Sequence, residues 1–294
     1  MTALSEQTRP ADPAGPRPAD LAPSGSFWRR GLLIGLVIAY VAVLILGPIA
    51  GLIAGAFSEG FAAVILALSQ PDVIAAFRLT VFIALITVAV HAVFGTALAW
   101  VLVRYRFRGD RLLNGLIDLP FAVSPVVVGY MLLLLFGRTG ILAPVLEALQ
   151  LRVAFALPGM VLATLFVTLP FMAREVMPVL EAFGIEQEQA AATLGASGWK
   201  TFWLVTFPAL RWGFIYGIIL TFARALGEFG AVLVIGGGVQ GRTETVTLFI
   251  FRALDERQYV AAYSAALVLG AISLALVIGT ELLRRKERGA PRLF

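Results

Sequence analysis

The stretch Glu186–Pro208, EQEQAAATLGASGWKTFWLVTFP, lies between two long apolar segments, yet it is amphipathic and carries Glu186, Glu188 and Lys200. Its run of Gln, Ala and Leu favours helix from Glu186 to Leu194. Gly195 can take the left-handed conformation that ends such a helix. Ser197 is placed to cap a second short helix, on which Trp199, Phe202 and Leu204 or Val205 recur at helical spacing. Pro208 is expected to stop that helix. Two short helices hinged at a glycine, too short to span a membrane, suit docking into a groove on another protein. An ordinary interfacial loop-helix is the other reading, and on these residues alone both stay open.

The surrounding chain sets the solvent. Of 294 residues, 60% are hydrophobic and 14% charged, with mean hydropathy +0.91. That composition lies far outside the soluble range and implies an all-α integral membrane protein that crosses the bilayer several times. With no Cys and a single His, the chain offers neither a thiolate nor a histidine metal site, and no histidine-based catalytic triad.

Working outward from the central stretch, the apolar segments are each about 18–25 residues long, as a hydrocarbon core of about 30 Å requires. Residues 1–27 are rich in Pro, Ala and Ser and are expected to form a disordered tail, leaving 28–294 as the membrane domain. The first span is Leu32–Ala54, longer than the apolar region of a cleavable signal. A polar connector over 55–78 leads to span two, Leu79–Val103, and to a basic loop with Arg104, Arg106, Arg108 and Arg111. Span three is Leu119–Phe136 and span four Ala154–Phe171. Span five is Gly213–Ile235, and after a connector over 236–259 span six is Val260–Leu283.

Charge fixes an orientation for these six spans. With both termini cytoplasmic, sixteen of the 23 Lys and Arg fall on inner segments: four in the tail, four after span two, three around 186–208 and five at the C-terminus. The outer connectors hold six (Arg78, Arg138, Arg152, Arg242, Arg252, Arg257), and Arg224 lies within a span. The positive-inside rule therefore places Glu186–Pro208 in the cytoplasm.

Inside span five, Arg224 and Glu228 are four residues apart and can pair on one helical face. Ionisable groups within a span are costly and mark either a pathway or a structural lock between helices, and both roles fit this pair. Gly227 and Gly230 permit close approach of a neighbouring backbone. His91, alone among apolar residues, reads as a hydrogen-bonded packing residue. Gly236-Gly-Gly238 lacks the Gly-Lys-Ser/Thr of a phosphate loop and reads as a flexible exit. The prolines at 120, 125, 158 and 170 either start and kink spans or break them to expose backbone groups, as in transporters with discontinuous helices.

The motif EQAAATLGA with VTFP downstream resembles the EAA loop of permease subunits in bacterial ABC importers. Ala190, Ala191 and Gly195 match that pattern and Pro208 closes it. Gln189 stands where the acidic residue usually sits, and Glu188 is one residue early. RALGEFGA at 224–231 is similar to the signature of sulfate and molybdate permeases. DLPFAVSPVV at 118–127, FALPGMVLATLFVTLP at 155–170 and TLGASGW at 193–199 resemble the CysW-type subunit of sulfate/thiosulfate importers, so the likeness covers about residues 30–285.

The resemblance implies a type I, MetI-like permease of six transmembrane helices in the bacterial inner membrane. Its implied partners are a CysT-type sister permease, two ATPase subunits and a periplasmic sulfate- or thiosulfate-binding protein, with membrane lipid around it and no nucleic acid. The chain itself would bind no cofactor, since ATP and Mg would be used by the ATPase, which makes it no enzyme alone. Glu188, Gln189, Ala190, Ala191, Gly195 and Pro208 would form the ATPase coupling loop, with Glu188 able to accept a hydrogen bond from a basic ATPase residue. Ser124, beside Pro125, would offer a hydroxyl to an oxyanion. A molybdate or tungstate permease and the sister sulfate permease are the nearest alternatives. An intramembrane enzyme would need a dyad that Arg224, Glu228 and His91 do not supply, and a pure scaffold would not need the coupling loop.

Overall fold

The computed structural model describes residues 27–289, which divide into two units at Gly51–Leu52. Helix α1 (Phe27–Ala56) runs through that boundary, with Pro48 inside it. Its apolar stretch, Gly31–Ala56, is 26 residues long, about 39 Å at 1.5 Å per residue, and therefore long enough to span. The expected tail over 1–27 lies outside the described residues except for Phe27, which opens α1.

The second unit starts at Leu52 and holds the remaining elements. The expected polar connector over 55–78 contains a short helix, α2 (Phe61–Leu68), and α3 (Pro71–Arg104) begins seven residues before Arg78. Gln70 is extended ahead of Pro71, and Asp72 sits in the first turn, so the start signal is local rather than hydropathic. At 34 residues α3 is about 51 Å long, longer than a bilayer core, and carries Arg104 at its far tip.

Span three is not one helix. Helix α4 (Asp110–Ala122) and helix α5 (Pro125–Phe136) meet at a bend of 112°. Proline disfavours helical geometry in the residue before it, and Val123 and Ser124 are accordingly extended, with ψ of 130° and 135°. A short helix α6 (Ala143–Ala148) follows, then α7 (Leu157–Phe183), which runs twelve residues beyond the expected end of span four.

Helix α7 is the most buried of the spans, and small residues let its neighbours approach it. A Cβ on Gly95 of α3 would lie 2.9 Å from Met172, and Gly213 packs on Val179 and the Glu175 carbonyl. His91 Nε2 lies 3.1 Å from the Leu165 carbonyl and 3.0 Å from Thr168 Oγ1, tying α3 to α7 in the packing role expected of it. The buried residues Met172, Val176, Leu180 and Leu210 carry this core to the end where α3 finishes.

Beyond α7 come α8 (Glu186–Thr193), α9 (Gly198–Thr201), a π-helical turn (Phe202–Thr206) and α10 (Phe207–Leu226). Span five then breaks over 227–229 and resumes as α11 (Gly230–Gly236), so the expected continuous Gly213–Ile235 helix is corrected to two pieces. The 236–259 connector contains α12 (Val246–Asp255), and α13 (Tyr259–Gly289) is the last span. The Gly-rich exit is a hydrogen-bonded turn: Gly237 and Gly238 take φ of +71° and +60°, and Thr243 Oγ1 donates to the Gly236 carbonyl at 2.7 Å. Among the described residues five helices are long and apolar enough to cross a membrane, and the bent α4–α5 pair makes six.

Candidate pathway and coupling surface

The central stretch folds as two short helices with Gly195 between them at φ +84°. The Ser197 hydroxyl accepts from the Lys200 N–H at 3.4 Å, as a cap should. Pro208 does not stop the second helix. It sits in the first turn of α10, and the π turn before it widens the backbone where proline cannot donate, so Gly198–Leu226 is one continuous 29-residue helix.

One face of this elbow is bare. Leu194 is 88% exposed, Leu204 75% and Trp199 72%, while Gln189 and Ala190 are exposed beside them and Ala191 is half-buried. No other part of the described chain covers these side chains. Glu188 points the other way. Arg104 grips its carboxylate with two prongs, Nε to Oε2 at 3.0 Å and Nη2 to Oε1 at 3.2 Å, and Thr206 Oγ1 donates to Oε1 at 2.8 Å. Arg104 also donates to the carbonyls of Leu180 (3.2 Å) and Gly184 (2.6 Å). The sequence marked Arg104 only as one of a basic run; its partner is 84 residues away.

The two broken spans meet. A Cβ on Gly230 would fall 3.0 Å from Val126 Cγ2 and 3.3 Å from Pro125 Cβ, so Gly230 does permit the close approach expected of it. Gly227 does not: it is exposed, and among the described residues a Cβ there would meet only the Arg224 carbonyl, at 3.9 Å. Arg224 Nη2 and Glu228 Oε2 pair at 2.9 Å although the helix stops at Leu226 between them. Glu228 has a second task, accepting the Ala231 N–H at 3.1 Å at the start of α11, while its own carbonyl accepts from Thr247 Oγ1 at 2.6 Å. Its side chain is 2% exposed against 29% for Arg224.

Arg224 and Ser124 line the same cavity, about 430 Å³, which lies along the α4–α5 bend between Pro120 and Phe171. The Ser124 hydroxyl makes no capping bond to α5. A second cavity of about 570 Å³ opens where α5 ends and α7 begins, lined by Arg138, Arg152 and Arg242 with one carboxylate, Glu147. Among the described residues, further ion pairs lie away from the elbow and the Arg224–Glu228 pair. Arg174 on α7 grips Asp118 on α4 (2.9 and 2.5 Å), Glu175 pairs with Arg284 on α13 (2.9 Å), and Arg252 holds Glu244 at 2.6 Å. The Glu244 hydrogen bond raises the Arg252 guanidinium further above its ordinary range, with burial acting against it and the charges of Glu244 and Glu256 adding to it. No i,i+4 spacing announces Asp118–Arg174 or Glu175–Arg284 in the sequence.

Up to six membrane-crossing helices, two of them broken beside a cavity that carries Ser124 and Arg224 among apolar residues, are the architecture of a helical membrane permease. The family model "binding-protein-dependent transport system inner membrane component" matches residues 91–288, and the chain belongs to that family. It is 47% identical over 261 residues to the sulfate transport system permease protein CysW of Synechococcus elongatus, covering 89% of this chain and 91% of the relative. Identity to the sulfate transport system permease protein CysT of Escherichia coli K12 is 37%, over 87% of this chain and 92% of the relative. A bacterial ABC transporter that imports the acidic polysaccharide alginate has the same fold, with TM-score 0.73 at 17% identity over 88% of this chain and 96% of that one.

Proposed function

We propose that this chain forms one half of the translocation pathway of an ATP-driven importer of sulfate or thiosulfate in the bacterial inner membrane. The observation that carries the reading is the cavity joining Ser124 and Arg224 at the meeting of two broken spans. Around it lie a serine hydroxyl without a capping bond and a guanidinium whose charge is offset by Glu228. A tetrahedral dianion can be solvated there by hydroxyl and backbone donors, while the paired arginine attracts it without trapping it. Higher identity to the CysW relative than to the CysT relative supports a CysW-type subunit beside a CysT-type sister.

The bare elbow is the surface for the ATPase. Gln189, Ala190, Ala191 and Gly195 place Leu194 and Trp199 outward, and an apolar helix pair of this length fits a groove on a soluble subunit. Two ATPase subunits consume ATP and Mg; this chain binds neither. A periplasmic binding protein delivers the anion at the opposite end, toward the cavity lined by Arg138, Arg152 and Arg242. Selection among sulfate, thiosulfate and molybdate falls mainly to that binding protein.

The test is uptake of radiolabelled sulfate by the assembled importer in proteoliposomes, with unlabelled thiosulfate or molybdate as competitor. ATP-dependent sulfate uptake, suppressed by thiosulfate, is the expected result. Molybdate taken up in preference to sulfate would move the chain to the molybdate and tungstate permeases.

A further inference from the structure

A polar cluster that spans several elements of the second unit sits at the tip of α3, outside the cavity lining. Arg104 is the last residue of α3, and its side chain is only 8% exposed. Through one guanidinium it reaches two other elements, the end of α7 and α8. It caps the end of α7 at the Leu180 carbonyl, which also accepts the Gly184 N–H, and at the Gly184 carbonyl just past the last turn. It holds α8 by both oxygens of Glu188, 17% exposed, in the two-pronged geometry that fixes orientation as well as distance. Glu188 in turn accepts from Thr206, which is buried in the π turn that begins span five.

A second, apolar contact repeats the connection. Trp100, one turn earlier on α3, stacks on Phe202 of the same π turn with ring centroids 5.0 Å apart. The coupling helix is therefore fastened at its inner face to α3, to α7 and to the root of α10. Its outer face, with Gln189 and Leu194, is left free. A helix held this way cannot shift alone: displacing α8 pulls on the ends of the spans that flank the cavity.

We infer that Arg104, Glu188 and Thr206 form an internal clamp that transmits movement of the coupling helix to the membrane spans. Glu188 is a positioning residue facing its own chain, and the contact to the ATPase falls to the Gln189 face. The inference rests on the importer reading above. It makes a demand that docking alone does not: loosening the clamp separates ATP hydrolysis from transport, because the ATPase still binds and cycles while its stroke is not passed on.

The experiment reads hydrolysis and sulfate uptake in the same proteoliposomes, with the chain assembled with its sister permease, ATPase and binding protein. Arg104→Lys keeps the charge and loses the fork. Sulfate moved per ATP is expected to fall about ten-fold, within the range usual for coupling between sites, while ATPase co-purification stays at the wild-type level. Thr206→Val is expected to lower the ratio less, and Thr206→Ser to restore it. Uptake and hydrolysis that fall in proportion, or a wild-type ratio in Arg104→Lys, overturn the clamp. If Arg104→Lys does not assemble, the Thr206 pair decides, and equal ratios in Val and Ser variants overturn it. Wild-type vesicles that show no ATP-dependent sulfate uptake would refute the importer reading instead, so the two failures are distinct.

Discussion

Glu228 carries two bonds that pull in one direction. Its carboxylate offsets Arg224 and also accepts the Ala231 N–H in the first turn of α11, so the break in span five is closed by a charge and a cap at once. Losing a cap costs about 1 kcal/mol, and leaving a buried charge without its partner costs more than removing both. Glu228→Gln retains an acceptor for Ala231 and loses the charge; Glu228→Ala loses both. Thermal unfolding in detergent is expected to rank wild type above Gln and Gln above Ala. The double variant Arg224→Gln/Glu228→Gln should recover part of the loss of either single change, since the sites are in contact. A double variant as unstable as the two singles summed would show that the side chains act independently. This pair was legible because its partners are four residues apart. Arg104–Glu188 and Asp118–Arg174 were not, because nothing local to either residue specifies a partner 84 or 56 positions away.

At the scale of elements, hydropathy located the spans and missed their breaks. A window of apolar residues sums transfer free energy and says nothing of whether backbone bonds continue through it, so hydropathy runs spans three and five through as single helices, and only Pro125 leaves a break in span three as one of two readings. The signals that break them are single residues: Pro125, which extends Ser124, and the Gly227–Phe229 segment that Glu228 and Thr247 pin. The converse error came at Pro208, where the widened π turn absorbs a proline that sequence treats as a stop. Gly195 was read correctly because its need is conformational and local. A Cβ there would meet no atom within 4 Å, so the cost of Gly195→Val is backbone strain alone, roughly 1 kcal/mol or more. The expected outcome is a permease that inserts and unfolds near the wild-type temperature but retains several-fold less ATPase on purification. Gly195→Asn, which tolerates the left-handed region, should lose less. Wild-type ATPase yield in Gly195→Val would show that the hinge angle does not govern docking.

For the whole molecule the open quantity is which end faces the cytoplasm, and here charge and architecture make a joint claim. Basic residues gather at the end that carries the elbow: Arg104 holds Glu188, the run Arg106, Arg108 and Arg111 follows it in the chain, and Arg284 of α13 pairs with Glu175 late in α7. Short loops rich in Lys and Arg stay inside. The absence of native cysteine makes the claim directly testable, because each introduced thiol is the only one in the chain. Gln187, exposed on α8, and Thr139, exposed in the turn after α5, mark the two ends and carry none of the bonds described above. A membrane-impermeant maleimide is expected to label Thr139→Cys in intact spheroplasts and to reach Gln187→Cys only after the membrane is opened. The reverse pattern would place the elbow outside, where no ATP is available, and would remove the coupling role together with the clamp. The expected pattern sets the cavity lined by Arg138, Arg152 and Arg242 toward the side from which a dianion arrives, so that the anion meets basic groups first and the balanced Arg224–Glu228 pair only at the break in the spans.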